Sequence, residues 1–251
     1  AYAQAGKTDP ALAAHRRALK KNPRLLLCYH NIAQLQFQAN QPKEVMKTLL
    51  EAAKQPSEDP AFLVDQAELL TTFRPLLGKE GEALRPRILA ALNAAKAKNP
   101  LQPLVLFKMA DCFKAVGETA QAASIYKAMS ERHPNLPGIR EKLAEAYLIS
   151  NDTTNALEQL QAVVRDNPSD IRSRYVLGNL LIETRQFEKA LEHFSTVRLL
   201  NPSFEPVIYD VVRASLALQK PKDALNALEE VKEKSRNFSW QFYSGVAQMT
   251  L

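Results

Sequence analysis

The sequence predicts an all-α fold, a solenoid of antiparallel helix-turn-helix repeats, and three observations predict it. Pro100, Pro134, Pro168 and Pro202 stand 34 residues apart. Between them apolar residues recur at helical spacing in two separate stripes, so each period holds two helices. The 251 residues are 46% hydrophobic, with seven glycines and no apolar run long enough to span a bilayer, which argues for an all-helical chain. A fixed period of this length marks stacked supersecondary units rather than one globular core.

The elements follow in register. Residues 1–25 hold the end of a repeat, with Tyr2, Gly6, Ala11, Ala18 and Pro23 at positions 11, 15, 20, 27 and 32. The second repeat, 26–59, carries Ile32 and Ala33 on its first helix and Leu49 and Ala52 on its second, closed by Pro56 and Pro60. The third, 60–102, is lengthened. Thr71 to Pro75 and Gly78 to Gly81 interrupt its helices, and Pro86 falls where the second should begin, a place where proline is tolerated. A lengthened hairpin with a kinked joint and a specialised contact loop both fit. The fourth repeat, 103–136, sets Met109, Ala110, Phe113, Ala122, Tyr126 and Pro134 at positions 7, 8, 11, 20, 24 and 32. The fifth, 137–170, offers Leu143, Ala144, Tyr147, Ala156, Leu160 and Pro168 in the same slots. The sixth, 171–204, has Leu177, Gly178, Leu181, Ala190, Phe194 and Pro202. The seventh, 205–237, has Val211, Val212, Ser215, Ala224 and Leu228, with Arg236 where proline is expected. Residues 238–251 read as a first helix without a second, carrying Trp240, Tyr243, Ser244 and Ala247.

Positions 4, 7, 8 and 11 form one apolar stripe and positions 20, 24 and 27 another. Small residues at 8 and 20 let two antiparallel helices approach closely, and the large ones interdigitate around them. The proline at 32 disfavours helix in the residue before it and ends the second helix. One hairpin buries too little to stand alone, so neighbours must supply the rest. This alternation of large, small, large or aromatic, Ala, large or aromatic, Pro resembles the tetratricopeptide repeat. The resemblance implies a right-handed superhelical solenoid and a protein-binding role. Both ends are cut through repeats and the chain begins at Ala1 without methionine. A fragment of a longer repeat protein is therefore expected, with its native N-terminus absent and its compartment open between cytoplasm and bacterial periplasm.

The net charge of +6 invites a nucleic-acid reading, but its distribution weakens it. Residues 1–136 carry 19 basic and 12 acidic side chains, residues 137–251 carry 14 and 15. The excess gathers at Arg16, Arg17, Lys20, Lys21 and Arg24 and at Arg85, Arg87, Lys96 and Lys98. All lie on or just after second helices, which the resemblance places on the outer surface; a solvated basic face is expected. Cys28 and Cys112 sit far apart along the stack, beyond disulfide reach, and read as small buried hydrophobes. His15, His30, His133 and His193 are scattered without metal spacing. His193 with Glu188 and Glu192 reads better as a charged stripe than as a ligand set. No GxGxxG, GxxxxGK[ST] or GxSxG stands in the chain. No catalytic residues, metal site or cofactor are assigned, and the chain is expected not to be an enzyme.

Positions 2, 5, 9, 12 and 13 point away from the hairpin core, and the resemblance makes them the lining of a concave surface where peptides bind. They are His30, Gln34, Phe37 and Gln38 in the second repeat and Phe107, Asp111 and Lys114 in the fourth. The fifth supplies Glu141, Glu145 and Leu148, the sixth Arg172, Tyr175, Asn179 and Glu183, the seventh Tyr209 and Arg213. Tyr175 and Tyr209 share position 5, Asn179 and Arg213 position 9. Rigid aromatics give contact area at small entropic cost, Asn bonds a peptide backbone, and Arg holds a carboxylate. The tyrosines equally fit a role of packing against the adjacent repeat. Relatives that grip acidic chaperone tails pair Lys at position 5 with Asn at position 9. No repeat here combines them, and the mixed signs favour a peptide of alternating character.

The expected function is a scaffold that binds an extended peptide or partner helix, in a setting such as envelope assembly or export. The alternatives are a docking or regulatory arm of an enzyme outside this fragment, or, less favoured, a nucleic-acid-binding helical array. Self-association through the exposed terminal half-repeats, by Trp240, Phe242 and Val246, is a further expectation.

Overall fold

The computed structural model describes residues 8–251, apart from the side chains of Thr8 and Lys234; the slots assigned to Tyr2 and Gly6 lie outside these residues. It divides into two compact units, Ala1–Pro134 and Asn135–Leu251. Every described element is a helix.

The first unit holds α1 (Thr8–Lys21), α2 (Leu26–Gln38), α3 (Pro42–Ala53), α4 (Pro60–Phe73), a 3₁₀ segment (Pro75–Leu84), α5 (Arg85–Ala97), α6 (Pro103–Ala115) and α7 (Thr119–Arg132). The second holds α8 (Ile139–Ile149), α9 (Thr153–Asp166), α10 (Ile171–Glu183), α11 (Phe187–Leu200), α12 (Pro206–Ala217), α13 (Pro221–Glu229), a 3₁₀ turn (Glu233–Ser235) and α14 (Phe238–Met249). Successive helices pair as hairpins, α2 with α3, α4 with α5, α6 with α7, α8 with α9, α10 with α11 and α12 with α13.

Starts and stops are written locally. Proline opens the first turn of α3, α4, α5, α6, α12 and α13, where a missing N–H costs nothing. Asp59, Asp152, Asp170 and Asn237 cap their helices by accepting from Ala61, Asn155, Ser173 and Trp240 N–H groups at 3.0–3.3 Å. Position 15 of each complete hairpin but the third turns left-handed: Asn40 (φ 55°), Gly117 (86°), Asn151 (57°), Arg185 (59°) and Gln219 (57°). The next N–H reaches back to position 11, as from Gln186 to the Leu181 carbonyl at 2.8 Å and Lys220 to Ser215 at 2.9 Å, which satisfies a terminal carbonyl. α7, α9 and α11 each stop two residues before the repeat proline. The intervening His133, Asn167 and Asn201 have left helical geometry, with ψ of 66°, 86° and 82°.

Small residues set the closeness of each pair. Ala122, Ala156, Ala190 and Ala224 at position 20 are fully buried. At position 8 the absent side chain of Gly178 makes room for Phe194: a Cβ there would lie 2.5 Å from the ring.

The lengthened third repeat is a kinked joint tied to its neighbour. The 3₁₀ segment breaks at Gly78 (φ 56°, ψ −130°), and Gly81 packs on the Arg74 backbone so tightly that a Cβ would lie 2.0 Å from its carbonyl oxygen. Arg74 donates to the Ala115 carbonyl at 2.9 Å and to Glu82. Arg85 donates to the Val116 carbonyl at 3.0 Å and to Glu118 at 2.7 Å. Both cations thereby cap the C-terminal end of α6, where the helix dipole is negative.

Cys28 and Cys112 are free and buried. Burial raises both thiols, that of Cys112 to about 11. Since the thiolate is the reactive form, neither should react promptly with a disulfide reagent at pH 8, and both should react once denaturant is added. Prompt labelling of the native chain, read by mass spectrometry, would contradict this burial.

Candidate functional site

The position-5 and position-9 side chains fall into two sets, one in each unit. In the second unit the sixth and seventh repeats bring theirs together around a residue that the periodic slots omit, Asp210. This carboxylate is 6% exposed. Its Oδ2 accepts the Tyr175 hydroxyl at 2.6 Å and its Oδ1 accepts Arg213 Nη1 at 2.8 Å. Leaving such a buried carboxylate unpaired would cost several kcal/mol, so the pairing fixes both neighbours. Tyr175 is further clamped by ring contacts with Phe204 at 4.9 Å, edge-on, and with Phe194 at 6.0 Å. Burial raises its hydroxyl pKa, and Asp210 adds to the rise. Asn179 spends its amide on its own helix, Nδ2 donating to the Tyr175 carbonyl at 3.2 Å. Arg213 keeps 42% of its side chain exposed. Arg172 and Glu183 are exposed at opposite ends of α10.

Tyr209 has the repeat position of Tyr175 but different company. Its hydroxyl donates to Asn237 Oδ1 at 3.3 Å, at the cap of α14, and its ring lies 6.3 Å from Tyr243. Burial raises its pKa, with Glu205 adding to the shift. The two tyrosines therefore pack against the following repeat. Glu141 and Glu145 are exposed on α8, with Leu148 half-buried.

The first unit carries the other set. His30 is half-buried with its ring edge-on to Phe73 at 5.5 Å. Gln34, Phe37 and Gln38 are exposed on α2. On α6, Phe107 lies 6.2 Å from the Tyr126 ring, and Asp111 accepts the hydroxyl of that buried tyrosine at 2.6 Å. Lys114 approaches Asp111 at 3.8 Å.

Position 6 carries what the slots missed. Lys108, at position 6 of the fourth repeat, reaches back to Asp65 at 2.9 Å and Glu68 at 2.7 Å on α4, just as Asp210 reaches back to Tyr175 on α10. The signal in the sequence is a single charge inside an apolar run, Asp210 within Val207 to Val212 and Lys108 within Leu104 to Met109.

Other candidates resolve plainly. His193 is half-buried and its Nδ1 faces Arg174 Nη1 at 3.3 Å; burial and that guanidinium lower its pKa. Among the described residues no cluster of three or more His, Cys, Asp or Glu side chains suits a metal ion, and no helix is long and apolar enough to cross a membrane. In the basic groups, Arg85 is bound to Glu118 and Lys98 to Glu58, while Arg16, Arg17, Lys20 and Lys21 are exposed on α1. On α14, Trp240 donates its indole N–H to the Leu228 carbonyl at 3.0 Å and Val246 is half-buried, leaving Phe238 and Phe242 exposed.

Comparison with known proteins supports the repeat. Residues 113–180 match the family model of the tetratricopeptide repeat. No curated protein matches the chain. Among solved structures, the C-terminal part of a TPR repeat-containing protein from Cytophaga hutchinsonii superposes with a TM-score of 0.58 at 15% identity, covering 80% of this chain and 77% of that one. MamA of AMB-1 superposes at 0.55 and 14% identity, covering 68% and 88%. MamA from Desulfovibrio magneticus RS-1 gives 0.51 at 20% identity, covering 70% and 94%. At such identities the likeness is one of fold.

Proposed function

We propose that this chain, whose residues 113–180 match the tetratricopeptide repeat, is a protein-interaction scaffold whose α10–α12 face grips an extended peptide. The observation that carries this is the Tyr175–Asp210–Arg213 cluster. A buried acid holds an aromatic ring and a guanidinium in fixed positions, and rigid aromatics and arginines are the residues that dominate binding interfaces. Because its partners are held before binding, little rotamer entropy is left to lose. Arg172 and Arg213 favour an acidic group on the peptide and Glu183 a basic one, hence a ligand of alternating sign. An envelope assembly or export system as the setting rests on the resemblance alone.

The test is a pull-down from the source cell's lysate with the wild-type chain and an Asn179→Ala/Arg213→Ala variant, followed by titration of the partner recovered. Arg213 is exposed and Asn179 half-buried, Asp210 keeps the Tyr175 hydroxyl as a partner, and circular dichroism checks that the variant stays folded. The expected result is at least tenfold weaker binding, with Arg213→Lys intermediate because a point charge replaces a planar fork. A partner held equally by both chains would overturn the α10–α12 assignment.

A further inference from the structure

Between α5, α6 and α7 lies an open slot of about 250 Å³. Its floor is apolar, formed by Leu106, Met109, Ile125 and Met129, and its two charged lining residues, Lys96 and Arg132, are both cations. Lys96 is placed by its bond to Gln121 at 3.1 Å, in the first turn of α7, and its ammonium stands 6.0 Å from the centre of the Phe113 ring. Arg132 ends the same helix. The eleven helical steps from Gln121 to Arg132 correspond to about 16 Å, a length that an extended peptide covers in about five residues.

The second unit contains the corresponding slot, 102 residues further on, and its charge is cancelled. There Arg198 stands for Lys96, Ile208 for Leu106 and Glu230 for Ala128. Arg198 and Glu230 form an ion pair. In the first unit Ala128 takes that place and the slot has no lining carboxylate.

We propose that the α5–α7 slot is a second docking site, for an extended peptide that carries a large apolar residue flanked on both sides by acidic ones. Charge complementarity decides the occupant. Two cations at opposite ends of an apolar floor match two carboxylates about five residues apart, whereas an acyl carboxylate offers one. The slot uses none of the residues of the α10–α12 face, so either proposal can fail alone.

The test is a titration of the isotope-labelled chain with the capped peptide Asp-Ala-Leu-Phe-Ala-Asp to about 2 mM, followed by amide chemical shifts. Shifts confined to α5–α7 and a submillimolar Kd are expected. Lys96→Glu/Arg132→Glu should weaken binding at least tenfold. Ala128→Glu should do the same, since it installs the acid that pairs with the cation in the other slot; either variant suffices if one fails to fold. A lysine-ended peptide of the same length should leave the slot unshifted. The proposal is overturned if the acidic peptide shifts no amide of α5–α7, if the lysine-ended peptide binds equally, or if the folded variants bind like wild type. It is also overturned, in favour of an acyl carboxylate, if sodium decanoate shifts these amides and the peptide does not.

Discussion

Replacing Phe194 with alanine should destabilise the second unit by about 3–5 kcal/mol. The ring is fully buried on α11 in the core that includes Leu177, Leu181 and Val212. It fills the space that Gly178 leaves empty and supports the Tyr175 ring. Truncation removes apolar burial and leaves a cavity besides, and glycine has no side chain to swing into it. Because the chain has two units, a single unfolding midpoint need not report the loss. Hydrogen exchange locates it: α10 and α11 should lose protection while α2 to α6 keep theirs. A cost below about 1 kcal/mol would mean that the hairpin repacks around the hole.

Gly81→Ala should cost the first unit about 3 kcal/mol or more, at the upper end of what overpacking does. The new methyl would meet the Arg74 carbonyl oxygen at 2.0 Å, and no rotamer change can relieve a clash with backbone. The 3₁₀ segment must move, and with it the bonds from Arg74 to Ala115 and Glu82. Gly117→Ala is the control. Its backbone is left-handed but nothing lies within 4 Å of the added carbon, so only about 1–2 kcal/mol of local strain is expected. Thermal unfolding by circular dichroism separates the two; equal losses would show that Gly81 is needed for conformation and not for space.

The regular repeats were legible because each local signal agreed with the next. Proline at position 32, alanine at 20 and a large residue at 24 are all short-range choices, and α6 to α12 fall where they place them. The third repeat was legible in its breaks, at Thr71 to Pro75, Gly78 to Gly81 and Pro86, but not in their cause, because Gly81 is required by a contact with Arg74 that no period describes. The seventh differs where Arg236 replaces proline: α13 is only nine residues long. The carbonyls it leaves are taken by side chains, Val231 by Arg236 and Leu228 by Trp240. Of the candidate face, the sequence shows positions but not the network that joins them. Position 6 belongs to neither stripe, and only the stacking of one repeat on the next shows that Asp210 joins Tyr175 to Arg213.

The left-handed joints bear on how readily each hairpin frays. Four of the five are not glycine, and each such residue gives up about 1–2 kcal/mol that glycine would not. Asparagine bears this most easily, through local hydrogen bonding, so the turns at Arg185 and Gln219 hold more strain than those at Asn40 and Asn151. The two more strained joints thus belong to the two hairpins that carry the Tyr175–Asp210–Arg213 cluster. The stability of each hairpin can therefore be adjusted at position 15 alone, independently of the side chains that pack its core.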